Sequence, residues 1–205
     1  INPVAIILFL LAGYQFSEVL ICANPQNLML ARIAFADIVW LPPMGIWLIL
    51  QVSGVKTKYL YTASETMLFA AGLFTVTVFI DSAFVTGTVC SMVAALYTHA
   101  SKAWIYYGIF YQVGLGIMLV ASSIALGYIE DKVTRQHLTD IQVGTLFFVL
   151  PSLFVEIALP EFWGGMPSIM CHFAIILGFT LTRLVVRERA AYACEHSHLS
   201  ISFFK

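Results

Sequence analysis

IYYGIFYQVGLGIMLVASSIALGY, residues 105–128, holds no Asp, Glu, Lys or Arg. Wound as an α-helix at roughly 1.5 Å per residue it reaches about 36 Å, enough to cross the ~30 Å hydrocarbon core of a bilayer. Five more stretches read the same way: 3–22, 28–51, 60–80, 139–159 and 167–186. Between them lie Asn24-Pro25-Gln26-Asn27, Gln51 to Lys58, Asp81 to Ser101, Glu130 to His137 and Pro160 to Pro167, all polar or rich in turn formers. The pattern predicts an all-α integral membrane protein, a bundle of six transmembrane helices with an ordered outer loop at about 81–104. Residues 1–190 form the transmembrane domain in this reading, and 191–205 a cytoplasmic tail.

Composition points the same way. Of 205 residues 60% are apolar and 10% charged, more apolar surface than a water-solvated domain of this size can hide. The expected surroundings are a lipid bilayer. A net charge of −1 lacks the basic face that nucleic acid requires, so no nucleic-acid partner is expected. The chain opens Ile1-Asn2-Pro3 without an initiator Met. Segment 4–12 resembles a signal-peptide core, but no charged region precedes it and the apolar run continues to Ile21, so it reads as a true span with further chain expected upstream.

Lys and Arg set the orientation. With the C-terminus cytoplasmic and the spans alternating, the inner side carries Lys56, Lys58, Lys132, Arg135, Arg183, Arg187, Arg189 and Lys205. Of the ten basic residues only Arg32 and Lys102 then lie outside. The expected location is the inner (cytoplasmic) membrane of a bacterium. Segment 84–100 is apolar enough to suggest a seventh span, but Val85-Thr86-Gly87-Thr88-Val89 is β-branched and broken by glycine, which suits extended structure at the outer surface. Trp104, Tyr106, Tyr107, Phe162 and Trp163 at the outer edge, and Trp47, Tyr59, Tyr61 and Tyr128 at the inner one, read as interfacial anchors.

Small residues should mediate helix contacts in lipid. Ala121-x-x-x-Ala125 and Ser123-x-x-x-Gly127 offer such a surface on the fourth span, and Ala70-Ala71-Gly72 on the third. Pro42-Pro43 removes hydrogen bonds to Ile38 and Val39 and predicts a kink in the second span; Pro151 predicts one in the fifth. Pro3 and Pro167 suit first turns, while Thr139-Asp140-Ile141-Gln142 and Thr62-Ala63-Ser64-Glu65 fit capping boxes.

A carboxylate near mid-bilayer costs about 2.5–3.5 kcal/mol on insertion scales and normally faces protein. Asp37 is such a residue. Glu18, Glu156 and His172 fall in the same outer half, and the four are candidates for one polar pocket. Against this, Glu18 and Glu156 lie near enough to the interface to reach headgroups, and His172 has a backbone carbonyl as its alternative partner. No cofactor is expected. Only His172 is a plausible intramembrane haem ligand, and no Lys lies within a span to carry retinal. Cys194-Glu195-His196-Ser197-His198 lacks structural zinc spacing, so no metal is expected. Cys22, Cys90 and Cys171 share the outer side; buried thiols at helix ends are the default expectation, with a disulfide between two of the three as the alternative. The sequence lacks a Gly-x-Ser-x-Gly elbow, a His-Glu-x-x-His pair and a phosphate-binding loop, so no enzyme is expected.

The order of features resembles the N-terminal seven-transmembrane sensor region of bacterial histidine kinases. The resemblance rests on Ala31-Arg32-Ile33-Ala34-Phe35 leading to Leu41-Pro42-Pro43 and Leu48 to Gly54. It continues in Phe84-Val85-Thr86-Gly87 with Lys102-Ala103-Trp104-Ile105-Tyr106, in Arg135-Gln136-His137 through Pro151, and in Met166-Pro167-Ser168-Ile169 through Arg187. It covers most of 10–190 at the level of pattern. It implies a sensory or ligand-responsive module with a further helix ahead of these six. No phospho-accepting His box or ATP-binding domain follows Arg189, so a kinase output is not implied for this chain.

The leading expectation is therefore a non-catalytic, receptor-like signal-transduction module that passes a packing change toward Arg183–Arg189. The alternative is an accessory scaffold subunit of a larger membrane complex, redox or photosynthetic. A transporter ranks third, because no inverted repeat is evident. Other membrane subunits or a homodimer are the expected protein partners.

Overall fold

Each expected span corresponds to helix in the computed structural model, which describes residues 3–55, 57–91, 95–158 and 165–202, with backbone alone for Ser152, Glu156, Met166 and 188–202. The elements are α1 Pro3–Ala23, α2 Leu28–Ile38, α3 Leu41–Ser53, α4 Lys58–Ile80, β1 Gly87–Cys90, β2 Ala95–Thr98, α5 Ala103–Tyr128, α6 Lys132–Ala158 and α7 Met166–Ser202. Among the described residues six segments are long and apolar enough to cross a membrane, with α2 and α3 together making the second. Lys56, Phe162, Trp163 and Lys205, and the side chains of Glu156, Arg189 and Cys194 to His198, lie outside the described residues.

The second span is broken rather than kinked. α2 ends at Ile38, Val39-Trp40 form a turn, and Pro42 and Pro43 occupy the first turn of α3. A proline costs little there because first-turn N–H groups have no intrahelical acceptor. The Met44 N–H donates to the Trp40 carbonyl at 3.1 Å and restarts the ladder. Gly54 ends α3 in the left-handed region, at φ 62°, and its N–H bonds the Leu50 carbonyl.

Both expected capping boxes are corrected. α4 starts at Lys58, so Thr62 is already helical and its carbonyl accepts the Thr66 hydroxyl at 2.8 Å. α6 starts at Lys132, where Asp131 accepts the Thr134 N–H at 2.8 Å; hydrogen bonds from Thr134 hold the Asp131 carboxyl below its ordinary value. Thr139 instead donates to the Arg135 carbonyl inside the helix. Asp140 pairs with Arg187 of α7 at 2.8 Å, and Gln142 donates to Ser123 of α5 at 2.7 Å. Apolar periodicity alone marked 139 as the start, because the preceding turn is polar and faces outward.

Helix contacts use small residues, though not all those expected. Ala121 and Ala125 are buried, whereas a Cβ on Gly72 or Gly127 would meet nothing within 4 Å. The tight approaches are at Gly45, against Met118; Gly114, against Pro42 and Met67; and Gly144, against Thr180 and Leu177. These draw α3 onto α5 and α6 onto α7. The opposite faces of α1, α4 and α5 expose Phe9, Phe69, Leu73, Ile80, Ile105 and Ile109, as suits lipid contact.

Candidate functional site

The loop between α4 and α5 folds over one end of the bundle. Its β-branched residues form an antiparallel hairpin with Gly87↔Thr98, Thr88↔Tyr97, Val89↔Leu96 and Cys90↔Ala95 in register. Strand alternation turns Ala95 and Tyr97 inward and leaves Val89 exposed. A Cys22–Cys90 disulfide ties β1 to the end of α1, and the Thr88 hydroxyl donates to the Pro25 carbonyl. Arg32 of α2 donates to the Phe79 and Ser82 carbonyls at 3.2 and 3.1 Å, satisfying orphan acceptors at the C-terminus of α4. Asp81 closes the same corner. Hydrogen bonds from Ser101 and the Ala83 N–H hold its carboxyl below the ordinary range.

Beneath the hairpin Phe35 is fully buried, with Phe84, Tyr97, His99, Trp104 and Tyr107 edge-on to it at centroid distances of 4.9–5.7 Å. His99 stacks on Trp104 at 3.8 Å, and its Nδ1–H donates to the Phe84 carbonyl. Burial lowers the His99 pKa, with that bond opposing. Tyr107 donates to the Phe35 carbonyl at 2.9 Å. Trp104 and Tyr107 thus build the aromatic core of the cap, a correction to their expected role as lipid anchors, while Tyr106 remains exposed.

A polar cluster lies under the cap. Glu18 of α1 is nine-tenths buried, and its Oε1 accepts the Ser168 hydroxyl of α7. Ser168 Oγ in turn accepts the Ala95 N–H at 3.0 Å. His172 is exposed one turn along α7, and its Nδ1–H donates to the Ser168 carbonyl at 2.8 Å. Tyr14 and Tyr97 share a hydroxyl–hydroxyl bond of 3.3 Å. Burial foremost, with the Glu18 charge contributing, pushes the Tyr97 hydroxyl up to about 12 against the opposing Tyr14 bond. Gln15 donates to the carbonyl of Cys171, whose buried thiol is free. Asp37 sits against Gly13, where a Cβ would come within 3.1 Å of its Oδ2.

Of the four expected pocket residues, Glu18 and His172 both meet Ser168, by hydroxyl and carbonyl respectively. Asp37 lies about one and a half turns deeper along α1. The side chain of Glu156 is outside those described. Tyr14, Tyr97 and Ser168 complete the cluster; only the register between α1 and α7 would have pointed to Tyr14 and Ser168, and only the folding of the hairpin over the bundle to Tyr97. Glu18 Oε2 and Asp37 Oδ2 are buried without a hydrogen-bond partner among the described residues, so each retains acceptor capacity that a proton or an added donor would satisfy. Among the described residues no three of His, Cys, Asp and Glu are grouped to hold a metal. Comparison with known protein families, with curated proteins and with solved structures finds no match for this chain.

Proposed function

We propose that the chain is a non-catalytic, membrane-embedded receptor module that responds at its capped end and transmits through α7. The observation that carries this reading is the Ala95–Ser168–Glu18 relay, where one hydroxyl joins hairpin, α7 and α1 beside carboxylate oxygens with unspent acceptor capacity. A change in protonation or occupancy there redistributes bonds between three elements, and α7 runs unbroken from Ser168 to Arg187 and beyond. The resemblance to the seven-transmembrane sensor region of histidine kinases supports the same reading. The capped end faces away from the cytoplasm in this proposal; Arg32 and Lys102 lie there, and Lys58, Lys132, Arg135, Arg183 and Arg187 lie toward the opposite end.

The test is a distance between spin labels at Tyr128 and Arg183, both exposed near the opposite end, in nanodiscs with Cys194 replaced by Ser. Glu18→Gln and Asp37→Asn should each shift the distance distribution. An unchanged distribution in both overturns the receptor reading. The exposed apolar side of α4, with Phe69, Leu73, Val76 and Ile80, favours the second reading, a scaffold subunit. Co-migration with pigment- or haem-bearing subunits in mild detergent would select it.

A further inference from the structure

We infer that a groove between α2, α5 and α7 binds a neutral, lipid-soluble molecule carrying a carbonyl group. Its volume is about 420 Å³, and Ile38, Trp104, Tyr111, Gln112, Pro167 and Met170 are among its walls. That size falls within the ~300–1,000 Å³ usual for small-molecule sites. The groove runs along α5 from Trp104 to Val113, about 13 Å on the helical rise, starting at the capped end where α7 also begins. The exposed Ile105, Ile109 and Val113 flank it on the lipid-facing side, so entry is lateral.

Polarity runs opposite to that of a phospholipid. The mouth near the cap is aromatic, and the Tyr107 hydroxyl there is already spent on the Phe35 carbonyl. Tyr111 and Gln112 stand about two turns deeper than Trp104. Neither has a hydrogen-bond partner among the described residues, and neither is counted among the fully buried unsatisfied groups, so both keep capacity directed to accessible space. A phospholipid entering from the surface presents only methylenes at that depth. A molecule with its acceptor inside the bilayer matches the donors. The described residues that line the groove include no Lys, Arg or His to pair with an anion, and an unpaired charge in an apolar site is costly, which selects a neutral ligand. Gly108 borders the groove, and a Cβ there would meet nothing within 4 Å, so a larger side chain can fill the space without displacing a neighbour.

The inference rests on the receptor reading for its purpose, while binding is measured without any response. The protein is placed in phosphatidylcholine nanodiscs with Trp40, Trp47 and Trp163 changed to Phe, leaving Trp104 as reporter. The probe is a dibrominated octadecanoic methyl ester, whose bromines quench indole fluorescence. Saturable quenching is expected, about tenfold weaker when Tyr111→Phe and Gln112→Leu are combined, and lost in Gly108→Phe with thermal stability retained. The matching dibrominated carboxylate and dibromoalkane should each bind at least tenfold more weakly. Linear quenching unaffected by the Tyr111/Gln112 pair overturns the site, and equal binding of the alkane or the carboxylate overturns its chemistry. Saturable binding with an unmoved Tyr128–Arg183 distance overturns the receptor reading and leaves the site standing.

Discussion

Ser168 Oγ donates to Glu18 Oε1 while it accepts the Ala95 N–H, so a single hydroxyl at the start of α7 holds both α1 and the hairpin. Ser168 is fully buried, out of reach of bulk solvent. Ser168→Ala therefore leaves a donor and a carboxylate oxygen unsatisfied at once, at a cost of about 1–3 kcal/mol or more. Thermal unfolding in detergent should show a lower Tm. Glu18→Gln, which can still accept from the hydroxyl, should lose less. A variant lacking Ser168 that melts with the native protein would refute the relay.

The Cys22–Cys90 bridge closes a loop across a sequence separation of 68 residues, and cross-links of that span contribute about 2–4 kcal/mol. Cys22→Ser, Cys90→Ser and the double variant should lose the same amount, because either single change removes the whole bond. Reductant should bring the native protein to the same Tm and leave the variants unaffected. Additive losses in the double variant would show separate packing roles for the two thiols.

The helices were legible because lipid-length apolar runs have few alternative folds, and the extended character of the loop because Val85 to Val89 is β-branched and interrupted by glycine, though not its pairing with Ala95–Thr98 as a hairpin. Orientation-dependent detail was not. Glu18 and Asp37 stood out as charges in apolar runs, but their neighbours Tyr14 and Ser168 depend on how α1 is rotated against α7, and Tyr97 on how the hairpin folds back, none of which a pattern of uniformly apolar faces encodes. The break at Val39-Trp40 was hidden for a related reason: Pro42-Pro43 forbids hydrogen bonds without specifying whether the helix bends or restarts. Likewise Trp104 and Tyr107 sit where anchors sit in sequence, yet folding of the cap onto Phe35 draws them inward.

Acidification should loosen the cap through His99. Burial holds the folded ring below its ordinary value, and its Nε2 is buried without a partner among the described residues. The unfolded ring takes up a proton near pH 6.5, which the folded ring resists. Stability from this group is therefore complete above about pH 6.5 and is lost as pH falls toward the depressed folded value. Tyr97, the nearest other titratable ring, stays protonated throughout, with its pKa pushed up to about 12. Melting between pH 7.5 and 5 should show a fall in Tm that His99→Phe flattens. The same slope in both proteins would place the acid sensitivity elsewhere.

Gly114 and Gly116 lie two residues apart on α5 and predict opposite outcomes. A Cβ on Gly114 would stand 2.6 Å from Pro42 Cβ and from Met67 Cε. The Met67 methyl can swing aside, but the proline ring is fixed in the first turn of α3, so the helices must separate. Gly114→Ala should cost about 1–3 kcal/mol, as overpacking does. At Gly116 nothing lies within 4 Å, and alanine is the better helix former by about 1 kcal/mol. Gly116→Ala should hold Tm or raise it by a few degrees. Equal effects at the two positions would mean that α3 and α5 do not approach through Pro42, and the restart of the second span at the proline pair would lose its packing rationale.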